Sequence, residues 1–76
     1  MKGLDMKLTW KDSEDIAIEL LKKYPNIDPL TVRFTDLHAW VTTLSEFADD
    51  PKKSNEGILE SIQIAWYEEY KEHRAD

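Results

Sequence analysis

Cysteine is absent from this 76-residue sequence. Neither a disulfide framework nor a thiolate metal site is therefore possible. Glycine is nearly missing too, and Gly57 stands alone inside a helix start, so there is no glycine-rich loop to cradle a phosphate. No apolar run approaches the roughly 20 residues that span a bilayer. The opening Met1-Lys2-Gly3-Leu4-Asp5-Met6-Lys7 lacks the apolar core of a signal peptide. The expectation is a soluble, cytoplasmic protein that engages no membrane.

Positive charge is the next scarcity. Ten Lys and Arg stand against sixteen Asp and Glu, for a net charge of −6 and a pI near 4.8. Nucleic-acid binding draws most of its affinity from Lys and Arg neutralising phosphates, so this balance argues against it. The bases are also unevenly placed. From Phe34 to Pro51 there are four acids (Asp36, Glu46, Asp49, Asp50) and no Lys or Arg, and from Ser54 to Tyr70 there are four more (Glu56, Glu60, Glu68, Glu69), again without one. The bland reading is solubility. The sharper one is a negative field that draws a basic partner or a cation.

One domain with a small core fits this length, and its three tryptophans contribute disproportionately to burial. The organising stretch is Val32 to Phe47. Thr35 is placed to cap a helix, Asp36 puts negative charge at its positive end, and Phe34 can fold over Ala39 as a staple. Leu37, Trp40, Val41, Leu44 and Phe47 then recur at helical spacing, which predicts a central helix running to about Phe47. Before it, Leu8-Thr9-Trp10 alternates like a short strand and could pair with the extended Val32-Arg33-Phe34. Asp12 caps a first helix with an apolar face of Ile16, Ala17, Leu20, Leu21 and Tyr24, ended by Pro25. Asp28 caps a single turn opening at Pro29. Ser54 caps the last helix, whose buried stripe is Ile58, Leu59, Ile62, Ala65, Trp66 and Tyr70. Trp40 and Trp66 should be buried against each other's helices.

The fold expectation is a mainly α, small three-helix, winged-helix-like domain with a short two-stranded β pairing. A flexible tail (1–7) precedes the single domain (8–72), and a frayed C-terminus (73–76) follows it. A DNA reader with this arrangement would present Glu46, Glu56 and Glu60 where it needs Arg or Lys.

Catalytic chemistry is thin. His38 and His73 lie far apart, and the serines and threonines sit at caps, so the expectation is a protein that is not an enzyme. Asp49 and Asp50, with Glu56 and Glu60, could offer two to four oxygens to a hard cation if the loop folds back, a weak and exchangeable site. The alternative is a solvated acidic loop with a turn at Asp50-Pro51.

The strings Tyr24-Pro25-Asn26-Ile27-Asp28-Pro29, Arg33-Phe34-Thr35-Asp36-Leu37-His38-Ala39-Trp40-Val41, Asp49-Asp50-Pro51 and Ser54-Asn55-Glu56 resemble, in one register from Leu8 to Glu69, the IscX family. These are small acidic accessory proteins of bacterial iron–sulfur cluster assembly. The resemblance implies a winged-helix-like fold with an acidic surface in place of a DNA-reading one. It implies binding to the cysteine desulfurase that supplies sulfur, at a basic patch where a frataxin-like protein also docks. It implies weak ferrous iron binding, no tightly held cofactor, and modulation of cluster assembly. The family's acidic positions correspond to Asp12, Asp15, Glu19, Asp28, Asp36, Glu46, Asp49, Asp50, Glu56, Glu60 and Glu68-Glu69. Lys52 and Lys53 depart from the pattern and would weaken a cation site at Asp49-Asp50.

On this reading the metal candidates are Asp49, Asp50, Glu56 and Glu60. The partner-binding candidates are Asp36, Glu46, Glu56, Glu60, Ile64, Tyr67 and Glu68, with Ile64 and Tyr67 as a small apolar centre on a monomer. An iron donor, with protein contact secondary, is the competing function.

Overall fold

Three helices and two short 3-10 turns make up the chain in a computed structural model that describes residues 7–74. Helix α1 is Ser13–Lys23, α2 is Phe34–Thr42 and α3 is Glu56–Arg74; the 3-10 turns are Pro29–Thr31 and Pro51–Lys53. The tail expected at 1–7 lies, except for Lys7, outside the described residues, as do Ala75 and Asp76. Helix α3 runs on through His73, beyond the expected loosening after Glu72.

Period and burial agree. Ile16, Ala17 and Leu20 of α1, Leu37 and Val41 of α2, and Leu59, Ile62 and Trp66 of α3 are all buried. Helices α1 and α3 form the most extensive pairing, and α2 closes the third side. Trp66 is fully buried, whereas Trp40 is half-buried. Trp40 lies between Tyr24, stacked at 4.4 Å, and Trp66, edge-on at 6.3 Å.

The β pairing is the main correction. No strand forms among the described residues, and 32–34 pair with nothing in extended form. Leu8 makes an isolated parallel bridge to Phe47, with the Leu8 amide donating to the Glu46 carbonyl (2.8 Å) and the Ala48 amide to the Leu8 carbonyl (2.8 Å). Val32 is taken up by the preceding turn, its amide donating to the Pro29 carbonyl at 3.2 Å. Three alternating residues carry too little pairing information to choose a partner, and among the described residues no wing stands beside the helices. What anchors 8–10 is burial: Leu8 is 2% and Trp10 3% exposed.

The helix ends also moved. Helix α2 begins at Phe34, with Arg33 at the cap position and no side-chain cap bond, so Thr35 lies inside the first turn. It ends at Thr42 instead of near Phe47 because the hydroxyls of Thr42 and Thr43 turn back to the carbonyls of Ala39 (3.1 Å) and Trp40 (3.0 Å), competing with the helical ladder. Leu44 is still delivered to the core, by a turn. Asp12 occupies the cap position of α1 but turns its carboxylate to the amide and hydroxyl of Thr9 (2.9 and 3.2 Å). At α3 the capping side chain is Asn55, not Ser54: its Oδ1 accepts from the Ile58 amide at 2.9 Å. A Cβ on Gly57 would stand 3.3 Å from that oxygen, so the glycine leaves the cap uncrowded. Asp28 caps the Pro29 turn as expected, accepting from the Leu30 amide.

Candidate functional site

Helix α3 has a second face. With Leu59, Ile62 and Trp66 turned inward, its 100° period sends Gly57, Glu60, Ile64 and Glu68 outward. All four are exposed, and Ile64 is 52% exposed, a large apolar side chain left in water. On the side toward α1 it borders a surface groove of about 440 Å³, lined by Ser13 and Glu14 from the start of α1 and by Ser61, Ile64, Ala65, Glu68 and Glu69. An apolar floor with three carboxylates around it results from the packing of α1 on α3. Glu14 is an acid of the first turn of α1; its place beside Ile64 follows from tertiary contact alone.

The other expected partner residues divide. Glu56 is exposed one turn before Glu60. Tyr67 is half-buried on the flank of the face, with the Lys71 ammonium 5.1 Å from its ring centroid. The same ammonium lies 3.6 Å from Glu68 Oε1, so a base that falls one residue beyond the acid-only segment folds back into it. Asp36 is exposed in the first turn of α2. Glu46 belongs elsewhere, sharing a shallow groove with Glu19, Lys22 and Lys23 near the end of α1. There the lysines offset its charge.

The metal candidates are not brought together: among the described residues no three His, Asp or Glu side chains form a group that could hold an ion. The loop acids are occupied by backbone. Asp49 accepts from the Trp10 amide (3.1 Å) through one oxygen and from the Asp50 amide (2.7 Å) through the other, and Asp50 accepts from the Lys52 amide (2.9 Å). Trp10 completes the clamp, its indole N–H donating to the Asp50 carbonyl at 2.7 Å. His38 stacks on Trp10 at 5.5 Å and places Nε2 2.7 Å from the Pro51 carbonyl. That assigns the imidazole a role in holding this loop.

Asp49 is held below its ordinary carboxyl value of 3.8, first by the Trp10 amide and then by the Asp50 amide, with Lys53 and Lys11 assisting and partial desolvation opposing. A depressed folded-state pKa gives stability that is present above 3.8 and lost as pH falls through the folded value. Asp49→Asn should therefore melt below wild type at neutral pH, and the gap should close as the solution is acidified past 3.8. Thermal melts of both proteins across that range check this. A gap that persists unchanged in acid would mean that the charge is not what holds the loop.

The model of a protein family described as iron–sulphur cluster assembly matches residues 8–71. The chain belongs to that family, the IscX family. It is also 52% identical over 64 residues to an uncharacterized protein of Pseudomonas aeruginosa, which covers 84% of this chain and 97% of the relative.

The fold sorts the acids of this IscX-family chain into two sets. Asp12, Asp28, Asp49 and Asp50 accept backbone hydrogen bonds that shape turns, and Glu19 pairs with Lys22 at 3.3 Å. Asp15, Asp36, Glu56 and Glu60 are exposed and enter no salt bridge among the described residues. The second set, with Glu14 and Glu68, is exposed to solvent.

Proposed function

We propose that this protein is a non-enzymatic accessory of iron–sulfur cluster assembly that docks on the cysteine desulfurase through the outer face of α3, and so modulates cluster formation. It acts as a cytoplasmic monomer with no nucleic-acid partner. The observation that carries this reading is Ile64, 52% exposed, with Glu60, Glu68 and the groove acids Glu14 and Glu69 around it. Acidic rims steer a basic partner into encounter, while a desolvated apolar centre slows its departure. Ferrous iron enters as loosely held cargo, with Glu56 and Glu60, exposed and one turn apart, as its carboxylates. Nothing in the arrangement favours a dedicated iron donor, since Asp49 and Asp50 are spent on amides.

Glu60→Lys tests both parts. The side chain is exposed on a helix, so the fold should be kept. Surface plasmon resonance against the desulfurase at several salt concentrations should show slower association and a flatter salt dependence, because rim charges act chiefly on encounter. Iron-induced broadening of the Glu56 amide resonance should weaken in the same variant. Unchanged association would move the docking face away from α3, with the exposed Asp15 of α1 marking the next surface.

A further inference from the structure

On the docking face just described, we propose that Tyr67 and Glu68 form a subsite for a Lys or Arg side chain of the basic partner, and that Lys71 occupies it while the protein is alone. The proposal rests on the reading that this face docks. Its own basis is separate: a cation already sits in the subsite. The Lys71 ammonium is 5.1 Å from the centroid of the Tyr67 ring and 3.6 Å from Glu68 Oε1, so an aromatic face and a carboxylate converge on one positive charge. Residues three and four apart on a helix meet in this way. No Lys or Arg occurs in the sequence from Ser54 to Tyr70, and Lys71 is the first base after it.

The internal occupant is easily displaced. The side chains of Lys71 and Glu68 are 50% and 57% exposed, and ion pairs that wet add little net stability. A partner's cation arriving with the surface around it would exclude water from the same ring and carboxylate, and cation–π attraction strengthens on desolvation. Lys71 then acts as a tethered competitor. It lowers affinity for any basic surface that places a cation at this point, because that cation must first displace Lys71.

Lys71→Met keeps the aliphatic stem and removes the competitor. It should tighten binding to the desulfurase by about threefold, the size expected of an exposed pair, whereas Lys71→Arg, which can refill the subsite, should bind like wild type. Lys52→Met, the same charge change on the exposed Pro51–Lys53 turn, is the control for net charge. A hexa-arginine peptide, followed through the Tyr67 ring resonances, probes the subsite without the desulfurase and should shift them further in Lys71→Met than in wild type. Equal tightening by Lys52→Met and Lys71→Met, or peptide shifts unaffected by removing Lys71, would overturn the subsite while leaving the docking reading intact. If wild type does not bind the desulfurase at all, the docking reading fails, and the peptide titration alone decides whether the subsite exists.

Discussion

Trp66→Ala should leave little folded protein at 25 °C. Trp66 is the largest fully buried side chain, and it joins the helices through ring contacts to Trp40 at 6.3 Å and Tyr24 at 6.4 Å. Truncating a buried tryptophan costs on the order of 3–5 kcal/mol in lost transfer energy and residual cavity. A domain of this length has about 5 kcal/mol to lose, at roughly 0.05–0.15 kcal/mol per residue. The indole nitrogen is buried without a hydrogen-bond partner among the described residues, so the side chain contributes through packing and carries an unmet donor. Trp66→Phe, which removes that donor and refills most of the space, should therefore cost much less than Trp66→Ala. Trp40→Ala should fall between them, because Trp40 is half-buried and part of its ring is already in water. Chemical denaturation of the three variants by circular dichroism gives the order. A cooperative melt for Trp66→Ala close to wild type would contradict the central place given to this side chain.

The largest functional effect should come from Ile64→Asp. The side chain is 52% exposed, so its replacement leaves the core untouched and the melting temperature near wild type. At the interface it would put a carboxylate where the partner expects an apolar surface. Truncation of a central anchor weakens binding by about 10- to 100-fold, mostly through faster dissociation. Ile18→Asp, an equal change at the 37%-exposed Ile18 of α1, should leave the complex alone. Dissociation rates of both variants from the desulfurase separate the two positions. Equal loss in both would show that added negative charge, not the Ile64 surface, is what the partner senses.

Much of the helical core was readable because a 3.6-residue period needs only local information. Ile16, Ala17 and Leu20, Leu37 and Val41, and Leu59, Ile62 and Trp66 each announce a face, and all are buried. Of the residues expected on the outward face, Glu56, Glu60 and Ile64 are exposed, but Tyr67 is half-buried on its flank. Caps were less legible, since Ser54 and Asn55 are adjacent and chemically similar candidates, and the choice fell to Asn55 through its bond to the Ile58 amide. The early end of α2 was marked by Thr42-Thr43, but a threonine pair turns back on a helix only where the following chain has somewhere else to go. Here that destination is the Phe47 bridge to Leu8.

Family membership and the acidic balance thus lay in residue strings and composition, which survive without coordinates. Long-range partnering did not. Trp10 reaches the Asp50 carbonyl across 40 positions, and Asp49 spends its carboxylate on the Trp10 amide. No period or spacing encodes such a choice, because any acid in a flexible loop would have served a cation equally well until packing committed it to an amide. The same holds for Glu14, brought beside Ile64 by the pairing of α1 with α3. A side chain's residue type sets its chemistry, but which neighbours it can reach is decided by the helices that carry them, and those are placed by burial of the whole core.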